Sequence, residues 1–112
     1  MKKARRITRN EEFQEIIKKA PKLTTTTFMI FYRPKLKAEN RIGISVSKKS
    51  GIAVRRNLIK RQVRMMVDEV GALGLETDLL IIVRKGYDPS NYDANKKVLE
   101  SLVKTVKIKE VS

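Results

Sequence analysis

The chain has 112 residues, enough for one domain with a real core, and its 41% hydrophobic and 34% charged residues exclude a disordered or membrane-spanning composition. It carries 26 Lys and Arg against 12 Asp and Glu, a formal charge of +14 that favours a polyanionic partner such as nucleic acid. Cysteine and histidine are absent, which excludes disulfides, Cys/His zinc sites, a Cys nucleophile and a His general base.

The first half of the chain predicts a helix and two strands behind a basic arm. Residues 1–9 form the arm, which we expect to be flexible, and a helix capped by Asn10 then carries apolar residues at helical spacing until Pro21 ends it. β-Branched and aromatic residues predict a strand over 24–33. Strict alternation over 41–47 predicts a half-buried strand, antiparallel to the one before it.

The second half predicts a basic helix, a buried strand and a last helix. The basic helix spans about 52–70 and ends at the glycines of 71–74. The continuous apolar run 79–83 is typical of a central strand, and it is far too short to cross a membrane. Ser90 is the expected cap of a last helix whose inner side carries Leu99, Leu102, Val103 and Val106. The order α-β-β-α-β-α predicts a single α+β domain over 1–112, an α/β sandwich of helices on a small mixed sheet.

The basic helix combines an apolar side with a cationic side. Residues 48–67 contain seven Lys or Arg and no acid. At about 100° per residue one side of the helix collects Ile52, Ile59, Val63, Met66 and Val70, and a different stripe collects Asn57, Lys60, Arg61 and Arg64. A merely solvated flank usually mixes charge signs so that pairs form four residues apart, and this one does not. The pattern therefore favours a nucleic-acid phosphate partner.

The loop before the helix carries Lys48, Lys49 and Gly51 at the point where the helix N–H groups are unpaired, which suits a phosphate. A single glycine is nevertheless more typical of an ordinary turn. No glycine-rich nucleotide-binding motif is present, and no small-molecule cofactor is expected.

No catalytic or metal site is predicted on the chain. The acids are scattered at helix ends and turns, where caps and surface pairs explain them better than a metal-dependent nuclease site does. Aromatic residues are few, and core packing is the favoured role for each of Phe13, Phe28, Phe31 and Tyr32. Strand alternation places Phe31 on the opposite face from Phe28 and Tyr32.

Residues 43–64, GISVSKKSGIAVRRNLIKRQVR, resemble the signature of the bacterial ribonuclease P protein subunit, whose pattern is close to G-[IL]-S-V-S-K-K-x-G-N-A-V-x-R-N-R-I-K-R-x-x-R. The resemblance extends over nearly the whole chain. It implies a fold with a left-handed βαβ crossover of the kind found in a ribosomal protein domain, where the general rule expects a right-handed one.

The resemblance also implies a role as the protein partner of a ribozyme. In that family the RNA subunit, with magnesium, removes the 5′ leader of precursor tRNA, and the protein binds both the catalytic RNA and the leader. This implies RNA contacts by Lys48, Lys49, Arg55, Arg56, Asn57, Lys60, Arg61 and Arg64. It likewise implies a leader cleft lined by Phe13, Ile17 and Phe31. A cytoplasmic location with no membrane partner is expected on other grounds, because the apolar runs are short and Asn10, Glu11 and Glu12 follow the basic arm where a signal would be apolar.

The chain departs from the family pattern at three positions. Ile52 and Leu58 stand where the family has Asn and Arg, and Ile17 stands where an aromatic residue is common. Arg55 leaves the helix about 60° from position 58, so it is a poor substitute for the missing charge. Losing one phosphate contact is expected to lower the salt slope of RNA binding by about one unit.

Two other hypotheses stay open from the residues alone. A small ribosomal or other structural RNA-binding protein would share the basic charge and a similar sandwich, but it would need no single-strand cleft. A self-sufficient nuclease would cleave RNA with metal and no RNA subunit.

Overall fold

The computed structural model describes residues 2–110, and it places three helices around a four-stranded sheet. In chain order the elements are α1 (Asn10–Lys19), β1 (Lys22–Thr24), β2 (Phe28–Pro34), β3 (Ile42–Val46), α2 (Ala53–Glu69), β4 (Thr77–Val83) and α3 (Tyr92–Glu110). Short 3-10 turns span Lys3–Arg5, Lys48–Ser50 and Ala72–Gly74. The α+β class predicted from the sequence is confirmed.

The sheet is mixed and has the strand order β1-β2-β4-β3. β4 runs antiparallel to β2 and parallel to β3, so β3, α2 and β4 form a βαβ unit. β3 therefore runs antiparallel to β2, as predicted, but the two strands are not hydrogen-bonded neighbours, because β4 lies between them. The continuous apolar run of β4 is explained by this central place, since both of its faces are covered.

The segment predicted as one strand over 24–33 is split by a turn. The Thr25 hydroxyl oxygen accepts hydrogen bonds from the backbone N–H groups of Thr27 and Phe28, at 3.2 and 3.0 Å. Such local side-chain bonds compete with a β-ladder, so the chain reverses there and β1 pairs antiparallel with β2.

One face of the sheet, here called the closed face, is covered by α2 and α3. Its core contains sheet residues such as Phe28, Ile30 and Ile81, together with buried side chains of both helices. Those helix residues are Ile59, Val63, Met66, Val67, Leu99, Leu102, Val103 and Val106. The inner side predicted for the last helix is confirmed. Ile52, which was predicted to lie on the apolar side of the basic helix, does not join this core. It lies in extended backbone just before α2 and is exposed.

Among the residues that the structure describes, the opposite face, here called the half-covered face, carries only α1 and the N-terminal segment. Its buried residues are Ile7, Ile16, Phe31 and Leu80, with Phe13, Ala20, Met29 and Ile82 partly buried around them. Gly43 permits this close packing, because a Cβ there would lie 3.0 Å from side-chain atoms of both Leu80 and Phe13.

The predicted helix caps at Asn10 and Ser90 are wrong. α1 begins at Asn10 with Arg9 as its N-cap, and the Arg9 side chain makes no capping hydrogen bond. The Ser90 hydroxyl and backbone N–H both donate to Asp88 Oδ1, in a turn that precedes α3. Such hydrogen bonding holds the pKa of the Asp88 carboxyl below its usual range. Gly71, in the left-handed conformation with φ 75°, follows α2 as predicted.

The N-terminal arm differs from the flexible segment expected over 1–9. The Arg5 guanidinium donates to the carbonyl of Leu73 at 2.7 Å and to the side chain of Asn40 at 2.6 Å. Arg6 forms a parallel bridge with Ile42, and Ile7 is buried. The arm is therefore held along the outer edge of β3, while Met1 lies outside the described residues.

Candidate nucleic-acid interface

α2 presents its predicted cationic stripe away from the closed face. Asn57 and Arg61 are exposed, while Lys60 and Arg64 are half-buried where the helix approaches β3. The first turn contains no acid, and no side chain caps the N-terminus of the helix. The helix dipole and the cations therefore act in the same direction, towards a negatively charged partner.

Arg55 and Arg56 occupy different surroundings from that stripe. Arg55 folds back towards the preceding loop, where its Nε donates to the carbonyl of Ser50 at 3.0 Å. Arg56 is half-buried, and its buried Nε has no hydrogen-bond partner among the described residues. Arg55 thus does not replace the missing charge at position 58, and Arg56 retains an unused donor.

Lys48 and Lys49 are exposed on the 3-10 turn that leads into α2. The Ser47 side chain accepts from the Lys49 backbone N–H and fixes this turn. Gly51 has φ 125°, a conformation that side chains disfavour, and a Cβ there would meet Arg55 Cδ at 2.8 Å. The turn and the start of the helix are thereby locked together.

A basic cavity of about 690 Å³ lies behind this turn. Its lining includes Lys49, Arg55, Arg84 and Lys85, with the Tyr87 ring on one wall. The Tyr87 hydroxyl donates to Gln62 Oε1 at 2.8 Å, and burial raises the pKa of Tyr87 to about 12. The loop after β4 therefore adds Arg84 and Lys85 to the cations that the sequence predicted on α2 and on the turn before it.

The three predicted cleft residues lie on the half-covered face or beside it, but they differ in accessibility. Phe31 is only 4% exposed and belongs to the small core under α1, with the Lys22 Nζ 5.9 Å from its ring centroid. Phe13 is half-buried, and Ile17, one turn later on α1, is 40% exposed. Ile17 and Phe13 are thus open to a ligand, whereas Phe31 acts as the floor beneath them.

A groove of about 280 Å³ connects the cleft side of the molecule with the basic helix. Its lining includes Arg6, Thr8 and Phe13 from the N-terminal half, and Lys60 and Arg64 from α2. Two sets of residues that are some fifty positions apart in the sequence therefore meet at one edge of the sheet.

Sequence reasoning missed the residues that continue the cleft along the sheet. Met29 pairs with Ile82, which pairs in turn with Ser45, and this row of partly buried side chains is here called the open rung. It lies next to the covered row of Phe31, Leu80 and Gly43. Alternation along β2 contained the signal, because Met29 is two residues from Phe31 and must share its face.

Ion pairs hold α1 in place above this face. Glu12 accepts hydrogen bonds from both Arg33, at 2.6 Å, and Arg41, and the buried Asp78 accepts from the Arg41 backbone N–H at 2.7 Å. The Arg41 guanidinium, with help from Arg33, keeps the pKa of the Glu12 carboxyl below its usual range. The side chain next to Phe13 is therefore anchored by charge.

Within residues 2–110, no group of three or more acidic side chains is arranged to hold a metal ion. Across the same residues, no helix is both long and apolar enough to cross a membrane.

Comparison with known proteins places these features in a family. Residues 1–107 match the family model described as Ribonuclease P. The ribonuclease P protein component of Mesoplasma florum is 44% identical over 105 residues, which cover 92% of this chain and 96% of that protein. The Bacillus velezensis protein of the same name is 38% identical, with coverage of 91% and 89%.

Solved structures agree with these relatives. The RNase P protein of Staphylococcus aureus superimposes with a TM-score of 0.81 at 34% identity, covering 94% of this chain and 97% of that one. The RNase P protein of Thermotoga maritima gives a TM-score of 0.72 at 28% identity, with coverage of 88% and 96%.

Proposed function

This chain belongs to the ribonuclease P protein family, and from that premise we propose how its surfaces divide the work of the enzyme. The chain is the RNA-binding protein subunit of an endoribonuclease that processes tRNA. The cationic stripe of α2, with Lys48 and Lys49, binds the catalytic RNA. The cleft formed by α1 and the half-covered face holds the 5′ leader of precursor tRNA.

The groove between Phe13 and Lys60 is the observation that supports this division most directly. It joins an apolar surface to a cationic one without a break. A single strand of RNA needs both, because its bases stack or pack on apolar side chains while its phosphates seek cations. One strand can therefore run along the open rung and approach the RNA bound to α2.

Catalysis belongs to the RNA subunit in this proposal. Magnesium bound by that RNA would supply the activated water and stabilise the leaving oxygen. The chain itself contributes affinity and position. Its place of action is the cytoplasm, where precursor tRNA is made in bacteria.

The alternative of a ribosomal or other structural RNA-binding protein has less support. The match over residues 1–107 is to the ribonuclease P family. A purely structural protein would also gain nothing from leaving the apolar Met29 and Ile82 partly uncovered on this face.

Reconstitution tests the proposal against the nuclease and structural alternatives together. Purified protein is added to the ribonuclease P RNA of Mesoplasma florum at low magnesium, and cleavage of a precursor tRNA is measured. We expect the protein to restore 5′ processing by the RNA. We expect no cleavage by the protein and magnesium when the RNA is left out. Cleavage by the protein alone would support a nuclease, and an unchanged ribozyme rate would contradict the proposal.

Charge variants on α2 test its assignment to the catalytic RNA. Arg64→Gln should weaken binding of the catalytic RNA and lower its salt slope by about one unit. Leu58→Arg should raise the same slope by about one unit, because it restores the charge that the family pattern has at this position. Lys104→Gln, an exposed change on α3, is the matched control and should leave both quantities unchanged.

A further inference from the structure

α2 exposes large apolar side chains on the side that faces away from the sheet. Val54 is 75% exposed, Met65 is 51% exposed and Leu58 is 38% exposed. At about 100° per residue these three lie within a 40° arc of the helix, and they are here called the apolar crest. Single exposed apolar residues are common, but an aligned set on a basic helix is a candidate interaction surface.

The crest is separate from the surfaces already described. It points away from the buried Ile59 and Val63 on the opposite side of α2. One neighbouring flank of the helix leads to the groove through Lys60 and Arg64, and the other is engaged by the loop after β4, where Gln62 Nε2 donates to the carbonyl of Pro89. The crest is the outermost ridge between these two flanks.

The charges around the crest select the kind of partner. Arg61 lies about 20° outside this arc, and Asn57 and Arg64 follow on the same side at about 60° and 80°. Asp68, the first acid along the helix, lies on that side near its C-terminal end, about 40° from the arc. A second copy of the chain packed crest to crest would place Arg61 near its own symmetry mate, within a protein that already carries +14. An anionic partner that also presents apolar surface avoids this repulsion, and unstacked RNA bases meet both requirements.

The departure at position 58 belongs to this surface. Leu58 stands where the family pattern has Arg. Ile52 stands where that pattern has Asn, and its side chain is 74% exposed just before the helix. Both replacements are exposed apolar side chains, so neither of them adds a neutral polar group in place of the family's polar residue. The change therefore exchanges polar for apolar surface at these two positions.

We propose that the apolar crest of Val54, Leu58 and Met65 packs against unstacked bases of the catalytic RNA, while the neighbouring cations hold its phosphates. This inference rests on the proposed function and specifies which chemical part of the RNA the outer side of α2 contacts. Packing against bases contributes affinity that does not release counterions, so it is independent of salt. It also favours particular unpaired positions, because a stacked base has no free face to offer.

Salt-dependent binding to the Mesoplasma florum ribonuclease P RNA tests the inference. Leu58→Ser and Met65→Ser should each weaken binding roughly 5-fold, as expected for partial loss of apolar burial, with the salt slope unchanged. Leu36→Ser is the matched control, because Leu36 is 68% exposed in the loop between β2 and β3 and lies off this helix. Unchanged melting temperatures in all three variants would exclude loss of folding as the cause.

Dimethyl sulfate, which modifies unpaired bases, supplies a second measurement on the same complexes. Bases protected by the wild-type protein should become reactive again with Leu58→Ser and stay protected with Leu36→Ser. Affinity within 2-fold of wild type for both crest variants would overturn the inference, as would a wild-type dimer in sedimentation that Leu58→Ser converts to monomer. A wild-type protein that fails to bind the RNA at all would instead overturn the proposed function.

Discussion

The two faces of the sheet are covered to different depths, and the difference separates stability from binding. The closed face is sealed by α2 and α3 around a large core in which Ile81 is fully buried. Within residues 2–110, the half-covered face has a cluster of four buried apolar side chains and a single ten-residue helix, which is held partly by the ion pairs of Glu12. A fold that buries most of its apolar surface on one side can leave the other open to a ligand.

Adjacent residues of β4 provide the strongest test of this contrast. Ile81 faces the closed core, and its neighbour Ile82 belongs to the open rung. Ile81→Ala should lower the free energy of unfolding by about 3 kcal/mol, since it leaves a cavity that the two helices cannot fill. Ile82→Ala should cost about 1 kcal/mol and should weaken leader binding instead. Urea denaturation gives both energies, and equal losses would show that the faces do not differ.

Gly43 tests how closely α1 and the N-terminal segment must approach the sheet. Gly43→Ala places a Cβ 3.0 Å from atoms of Leu80 and Phe13, so the half-covered face must loosen at a cost of about 2 kcal/mol. Gly74→Ala is the control, because a Cβ there has no atom within 4 Å. Thermal melts of the two variants measure the effect, and the idea fails if they unfold alike.

Glu12 tests whether charge holds α1 in place. Glu12→Gln should cost about 1 kcal/mol at neutral pH, because two arginines lose their carboxylate partner. The folded pKa of Glu12 lies below its usual value of 4.5, so the ionised pairs stabilise the fold above that pH. The difference from wild type should therefore vanish as the pH falls through the folded pKa.

Unfolding measured across acid pH checks this prediction. The same change at the exposed Glu15, one turn along α1, serves as the control. A difference that persists unchanged into strong acid would mean that Glu12 stabilises α1 through packing and not through charge.

Ile17 should give the smallest effect on stability. Ile17→Ser changes a side chain that is 40% exposed, so the free energy of unfolding should move by less than about 0.5 kcal/mol. Leader affinity should nevertheless fall several-fold, measured as the ratio of Kd for precursor and mature tRNA. An unchanged ratio would remove Ile17 from the cleft.

Periodicity in the sequence was sufficient for the main elements. The apolar spacing of α2, the alternation of β3 and the continuous run of β4 each predict their element, because a residue's side of a helix or strand depends only on its position along it. The same spacing placed Leu99, Leu102, Val103 and Val106 correctly on the inner side of α3.

Features that depend on contacts between distant residues could not be derived in this way. The insertion of β4 between β2 and β3 is one example, because the sequence pattern of each strand is compatible with several strand orders. The turn at Thr25 and the bond from Arg55 to Ser50 arise from single side-chain hydrogen bonds. The exposure of Ile52 follows from a helix that begins one residue later than its apolar pattern suggests.

The docked N-terminal segment has a consequence for the behaviour of the protein in concentrated solution. β3 is an edge strand, and the bridge between Arg6 and Ile42 occupies part of its free hydrogen-bonding side. An uncovered edge strand can pair with the same strand of another molecule. Residues 5–7 therefore cover part of this edge against such pairing, and removing them would expose the side of β3 next to the groove that Arg6 and Ile42 line.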